Sequence, residues 1–288
     1  MSSQEKDKLG QFIPLHYHYQ MLSDRDRVQA FKMAIERIVK PGHRVVELGS
    51  GTGVLSFFAA KQGAQVQSIE FNSALVERSR VLIEQNGMGE RVEVIEADAS
   101  LWVPSEPVDV VVCEMLHSAL LREKQVEVIE AFRKNHKEKF GEIPIMIPSA
   151  TLLGVQPVLQ EYSFEGYHAP VPLFQSPYTL SPETQDVHNP EVYHIIDYDH
   201  AEVEVYSCHA SFSFQREAEF NAFRFITKNL LASGPQGEDM VDWHNQYLIF
   251  PTEKEISVKA GQTVSISFSY TPGDSIEVLS QSLKVSVL

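Results

Sequence analysis

The stretch HRVVELGSGTGVLSFFAAKQG, residues 43–63, restricts this chain to a narrow set of folds. A β-branched apolar run ends in an acid, Glu47, passes through glycines at 49, 51 and 53, and enters a helical segment. Such glycines let the backbone turn sharply and let a ligand approach main-chain atoms. A strand, a glycine loop and a helix in that order open a doubly wound sheet that binds a nucleotide-like cofactor. The rhythm continues downstream. VQSIEF, VEVIEA, VDVVVCE and IPIMI read as further strands, and SFFAAKQG, SALVERSRVLIEQNG and SALLREKQVEVIEAFRKNHKEKF as the helices between and after them. Gly87, after Asn86, predicts a helix stop. This alternation predicts an α/β, Rossmann-like domain built on a parallel sheet.

The pattern changes near Pro148. ATLLGVQPV, AEVEVYSCHASFSF, WHNQYLIF, EKEISVKAG, QTVSISFSY and LKVSVL alternate with the period of a strand, and AGQ at 260–262 predicts a hairpin turn. EFNAFRFITKNL fits either a helix or a strand. Tyr162 to Pro190, rich in Pro, Tyr and His, reads as a long, partly ordered insertion. The chain therefore divides into residues 1–147, which bind the cofactor, and an all-β domain, residues 148–288.

Length and composition agree. The 288 residues suffice for two domains with their own cores, and 43% hydrophobic with 22% charged residues is ordinary for a soluble globular protein. Cys113 and Cys208 sit in apolar runs, too far apart for a redox or metal motif, and two reduced thiols fit a cytoplasmic protein. The polar start MSSQEKDKLG lacks the apolar run of a signal peptide, and no stretch is long enough to span a membrane as a helix. A net charge of −15 argues against nucleic acid as a partner and suits a basic substrate. The histidines show no spacing such as HExxH, so no metal is expected.

Two groups of acids carry the chemistry. Glu70, closing VQSIEF, can accept from both ribose hydroxyls of a cofactor held on the loop Gly49, Gly51, Thr52. This arrangement serves nicotinamide cofactors and S-adenosylmethionine alike. Three details favour S-adenosylmethionine: the close spacing of the last glycines in GSGTG, Glu47 for the charged amino-acid end, and Asp98, closing the next strand, for the adenine amino group. Each acid alone is the ordinary solvated end of a strand; three in series are not. The second group is Glu114 and Glu123, nine residues apart in CEMLHSALLRE. Separately they read as a strand-end acid and an exposed acid near a helix start. Together, two carboxylates on one loop can grip a planar forked cation such as guanidinium, which points to methyl transfer onto a guanidino nitrogen.

At these motifs the chain resembles the protein arginine methyltransferase family, within the class I S-adenosylmethionine-dependent methyltransferases. The resemblance runs from about Pro14 to the C-terminus and is strongest in VVELGSGTGVLSFFAAKQGA, CEMLHSALLRE and IPSATLL. HYQMLSDRDR matches the family helix that covers the cofactor, which implies that His18, Met21 and Arg27 line its site and that Arg27 holds its carboxylate. Glu114 and Glu123 fall on the family's paired glutamates, and the adenine contact falls on Asp98 or Ala99. IPSATLL matches the junction to a β-barrel-like substrate domain. WHNQYLIF…ISVKAGQTV resembles the segment that carries a histidine–tryptophan pair; here the order is Trp243-His244, so either His244 takes the histidine place or Trp243 the aromatic one. Asp24 with His244 is the family-like acid–histidine pair. Of the family's aromatic motif upstream of His18 only Phe12 is present, and Tyr162–Pro190 is short beside the family's helical dimerisation arm. The resemblance implies an N-methyltransferase acting on protein arginine, or alternatively on free arginine or another small guanidino metabolite, with a homodimer as the family's assembly. A catalytically silent binding module is the reading from another class.

Overall fold

The computed structural model describes residues 13–179, 181–233 and 239–288; Phe12 and the polar N-terminal stretch lie outside these. Strands β1 (Arg44–Leu48), β2 (Gln65–Glu70), β3 (Val92–Glu96), β4 (Val110–Cys113) and β5 (Ile145–Ile147) form one parallel sheet in the order β3-β2-β1-β4-β5. Val45, Val46, Val110, Val111 and Val112 are almost wholly buried, which explains their unbroken apolar runs: a parallel sheet is covered on both faces. Around it stand α1 (Leu15–Ser23), α2 (Arg25–Ile38), α3 (Val54–Lys61), α4 (Ser73–Gln85) and α5 (Gln125–Phe140). The segment HYQMLSDRDR is thus two helices, broken at Asp24, whose side chain caps α2 by accepting the Arg27 N–H at 3.0 Å. Past α4, Gly87 takes φ +70°, as a helix stop requires.

The second half is antiparallel. β6 (Ala150–Gln160), β9 (Leu173–Gln175), β10 (Thr184–Asp186), β13 (Ala218–Ala232) and β15 (Tyr247–Val258) make one sheet in the order β10-β6-β13-β15-β9, with β11 (Glu191–Asp197) on β6 and β14 (Val241–His244) on β13. β12 (Tyr206–Ser213), β16 (Thr263–Tyr270) and β17 (Lys284–Val287) make a second, and β7 (Ser163–Phe164) with β8 (Tyr167–His168) a small ribbon. A short helix, α6 (Ile276–Ser282), lies between β16 and β17. The pairings among the described residues give two sheets and not one closed barrel.

One open reading is resolved and three expectations change. EFNAFRFITKNL is the central strand, β13. Phe220, Ala222, Phe223, Phe225 and Thr227 are all fully buried, so both faces are covered and no period of two survives in the sequence. AGQ at 260–262 is a turn, with Gly261 at φ +86°, but β15 and β16 belong to different sheets, so it passes the chain between layers and closes no hairpin. Residues 201–205 precede β12 as irregular chain. The long helix expected from Ser118 begins only at Gln125. Before it, Ala119, Leu120 and Arg122 have φ of +56°, +54° and +66°, values that cost non-glycine residues about 1–3 kcal/mol each unless their surroundings impose them.

Candidate active site

Strand order reverses between β1 and β4, and crevices for ligands open beyond the carboxyl ends of strands at such a switch point. The glycine loop leaves β1 there and Glu114 leaves β4. A cavity of about 1040 Å³ occupies this place, large enough for a nucleoside and a second substrate together. His18, Met21, Asp24, Arg27, Glu47, Gly49, Gly51, Thr52, Glu70, Asp98, Ala99, Glu114, Glu123 and His244 all line it.

The cofactor side is close-packed. Gly51 sits at φ +54°, and a Cβ there would lie 2.8 Å from the His18 ring. Glu70 Oε2 accepts the Gly51 N–H at 2.8 Å and Oε1 accepts the Asn72 N–H at 2.9 Å, so one carboxylate pins the loop and the end of β2 while each oxygen keeps a lone pair. Glu47 is almost wholly buried, and its Oε2 accepts from the Ser56 N–H at 2.7 Å and from the Ser56 hydroxyl. It thereby supplies the acceptor that Gly53, the cap residue of α3, lacks. Burial pushes the Glu47 carboxyl up to about 7, against the Ser56 bonds, which pull it down. Asp98 Oδ1 accepts from Ser100 N and Oγ at 2.9 and 2.7 Å in a local turn. His18 Nε2 and Ser50 Oγ are buried on this wall with no partner among the described residues, and burial lowers the His18 pKa. Acceptors spaced along three strand ends, with unsatisfied polar atoms between them, fit a polar nucleoside cofactor with a cationic tail.

The acceptor side centres on the glutamates. Arg27 Nε and Nη2 both donate to Glu114 Oε2, the former at 2.9 Å, and Nη1 donates to the Met21 carbonyl at 2.9 Å. Glu114 is thus already in a forked contact with a guanidinium. Glu123 has no ion pair among the described residues; burial first, then the Glu114 charge, pushes its carboxyl up to about 8, although Arg27 and Arg122 pull it down. The loop between the two glutamates is held from the second half of the chain. Ser118 Oγ donates to the Gln246 carbonyl, the Ala119 N–H to Thr227 Oγ1 at 2.6 Å, Asn245 Nδ2 to the Leu116 carbonyl at 2.9 Å, the Arg122 N–H to the Asp274 carbonyl at 2.8 Å and the Gly273 N–H to the Leu120 carbonyl at 2.9 Å. These bonds over-determine the left-handed residues between the glutamates.

Asp24 and His244 share the cavity but are not hydrogen-bonded to each other; Asp24 caps α2, and His244 Nδ1 is buried without a partner. Burial, then Lys228, lowers the His244 pKa. Trp243 is buried, its ring 6.2 Å from Phe31 of α2. The wall also holds residues that were not anticipated, among them His117, whose pKa burial lowers to about 4, and Phe174, Pro177 and Tyr178 from the insertion. The Tyr178 hydroxyl accepts the His244 N–H at 2.8 Å. Nothing local in the sequence signals that contact, whose partners lie 66 residues apart.

Among the described residues no helix is long and apolar enough to cross a membrane, and no cluster of His, Cys, Asp and Glu could hold a metal ion. A family model described as a methyltransferase domain matches residues 45–139. An uncharacterised protein of Methanocaldococcus jannaschii is 28% identical over 97% of this chain and 99% of its own. Protein arginine N-methyltransferase 2 of Xenopus tropicalis is 34% identical over 54% of this chain and 36% of its own, and arginine N(omega)-methyltransferase of Streptomyces achromogenes subsp. streptozoticus 34% over 48% and 38%. The chain therefore spans little more than a third of either named relative. Among solved structures, the Trypanosoma brucei PRMT1 enzyme–prozyme heterotetramer with AdoHcy superposes with a TM-score of 0.70 over 94% of this chain and 97% of its own, at 16% identity, a likeness of fold. The chain carries a methyltransferase domain over residues 45–139 and is similar to the protein arginine methyltransferases.

Proposed function

We propose that this enzyme methylates a guanidino nitrogen, that of arginine in a protein. The observation that carries the reading is the pair Glu114 and Glu123 on one cavity wall, the first already gripping a guanidinium and the second without an ion pair among the described residues. S-adenosylmethionine, when bound, supplies an electrophilic methyl group. Glu70 and the glycine loop hold its nucleoside part, Asp98 and Ala99 its base, and Arg27 with Glu47 its amino-acid end, in the company of His18, Met21 and Thr52. A guanidinium is a poor nucleophile because its lone pairs are delocalised. Carboxylates that accept from two of its nitrogens draw positive charge toward themselves and orient the third nitrogen for in-line attack. Binding such a cation drives the proton from Glu123, because an opposite charge nearby lowers a carboxyl pKa. Transfer leaves one proton in excess on the methylated nitrogen. His244, whose Nδ1 is unpartnered, is placed to take it, while Asp24 acts through the capping of α2.

The net charge of −15 and the acids Asp24, Asp26, Glu114 and Glu123 on the cavity wall suit a basic peptide. One observation favours a small guanidino acid instead. Arg122 lines the cavity beside Glu123 and its guanidinium makes no hydrogen bond or ion pair among the described residues, so a substrate carboxylate would find a cation there. One of the named relatives is a protein arginine methyltransferase and the other an arginine methyltransferase, so the relatives support both. Two free buried cysteines suit the cytoplasm, and a homodimer is the assembly that the resemblance suggests. The test is incubation with labelled cofactor, an arginine-rich peptide and free arginine, followed by mass analysis of the modified nitrogen. Methylated peptide is the expected product; labelled free arginine alone overturns the protein-substrate reading.

A further inference from the structure

The insertion between Tyr162 and Pro190 puts aromatic rings on the acceptor side of the cavity. β9 pairs with β15 so that Phe174 stands opposite Leu248. Alternation along a strand then divides three neighbours between two faces. Phe174 faces the cavity, its ring perpendicular to that of His117 with centroids 5.5 Å apart. Leu173 packs instead against Val158, Tyr162, Ala222 and Ile249. Gln175 also turns from the cavity: its Oε1 accepts from Arg224 Nη2 at 3.3 Å and its Nε2 donates to Thr184 Oγ1 at 2.7 Å.

Arg224 explains why so short a strand stays in place. It lies on the central strand, β13, and is 9% exposed. Nη1 donates to Asp186 Oδ1 at 2.7 Å and to Gln156 Oε1 at 3.1 Å, and its guanidinium stacks over Tyr247 at 5.0 Å. One buried cation thus ties both arms of the insertion, through Gln175 and Asp186, to the middle of the sheet. Three residues beyond Gln175, the Tyr178 hydroxyl fixes the end of β14 through the His244 N–H. Phe174 and Tyr178 remain 42% and 48% exposed, so that part of each ring is open on the cavity wall.

We propose that Phe174 and Tyr178 are specificity-determining residues of the acceptor pocket and that Arg224 is the positioning residue that holds them there. A flat guanidinium can stack on an aromatic face while its N–H edge stays free for the two glutamates; an ammonium has no flat face to offer. The wall therefore selects a guanidino group over a lysine amine. The inference rests on the guanidino reading of the site.

The experiment uses the full chain and an arginine peptide, with its lysine analogue as competitor. Phe174→Leu, which keeps an apolar side chain but removes the ring, should raise KM for the arginine peptide about five- to thirty-fold, the range of a desolvated cation–π contact, and weaken discrimination against the lysine peptide. Affinity for S-adenosylmethionine, read by calorimetry, should stay within twofold. Arg224→Met should raise KM in the same way, and the double variant should be little worse than Phe174→Leu alone, because one residue acts through the other. Should Arg224→Met fail to fold, Gln175→Ala, which removes only the link, carries the same expectation. An unchanged KM in Phe174→Leu overturns the wall, and additive losses in the double variant overturn the positioning role. If the wild-type chain neither methylates nor binds any guanidino probe in the presence of S-adenosylhomocysteine, the function proposed above falls and this inference with it; if it turns over normally and Phe174→Leu does too, this inference alone falls.

Discussion

Replacing Glu123 by Gln should flatten the alkaline loss of stability of this protein. Burial and the adjacent Glu114 hold the Glu123 carboxyl near pKa 8, against 4.5 for a free glutamate. A carboxyl raised in the folded state stabilises that state while it is protonated, and the benefit is lost as pH rises through the folded pKa. Between pH 6 and pH 9 the unfolded chain is ionised at this position throughout, whereas the folded chain passes from nearly one bound proton to about a tenth of one. Integrating about 1.4 kcal/mol per proton and pH unit over that window gives a loss of about 2.7 kcal/mol in the wild type. Glutamine has nearly the same volume and does not titrate, so Glu123→Gln should lack this component. Urea unfolding at pH 6, 7.5 and 9 measures it. The two tryptophans, Trp102 after β3 and Trp243 in β14, report on both halves of the chain. Parallel stability profiles in the two proteins would refute the half-buried, protonated glutamate and, with it, the idea that an arriving cation expels a proton here.

Other expectations concern ligands. Glu70→Ala should weaken S-adenosylmethionine binding by about 1–3 kcal/mol, because the Gly51 and Asn72 N–H groups and the ligand all lose an acceptor; Gly51→Val should abolish it, since the new side chain meets His18, and calorimetry on both variants checks this. Glu114→Gln should lower turnover by about a hundredfold or more, by loss of charge stabilisation, yet leave cofactor affinity equal or higher, because Arg27 loses its competing carboxylate; weakened cofactor binding would mean that Arg27 needs Glu114 to hold its place. An arginine-rich peptide should exceed free arginine in kcat/KM at low salt, with an advantage that shrinks as ionic strength shortens the screening length to about 8–10 Å. A salt-independent ratio would show that the net charge does not steer the substrate.

The fold was legible where burial leaves a simple trace. β1 to β5 show as apolar runs because a parallel sheet hides both faces, and the acids that close β1, β2 and β4 stand at its carboxyl edge, on the cavity. β13 was ambiguous for the same reason: a strand covered on both sides carries no alternation to distinguish it from a helix. Residues 118–124 have helix-forming composition, but hydrogen bonds that they donate to Thr227, Gln246 and Asp274, more than a hundred residues away, hold them in another conformation. The partner of Arg27 was hidden similarly. The resemblance assigns it to a cofactor carboxylate, whereas its nearest acid is Glu114, 87 residues distant. Tyr178 and Phe174 belong to a segment with no periodicity, and only pairing with β15 brings them to the cavity.

The hydrogen bonds that hold the loop between the two glutamates have a consequence for how such an enzyme can diverge. Both carboxylates belong to the first half of the chain, but the gap between them is gauged by Thr227, Asn245, Gln246 and the Gly273–Asp274 turn in the second. The reactive groups can therefore stay fixed while the jaw that carries them is widened or narrowed from outside. Drift in a few residues of the second half, whose one acid, Asp274, touches the loop only through its backbone carbonyl, would retune which guanidino compounds fit, and a lineage could move between bulky and small acceptors without passing through a catalytically dead ancestor.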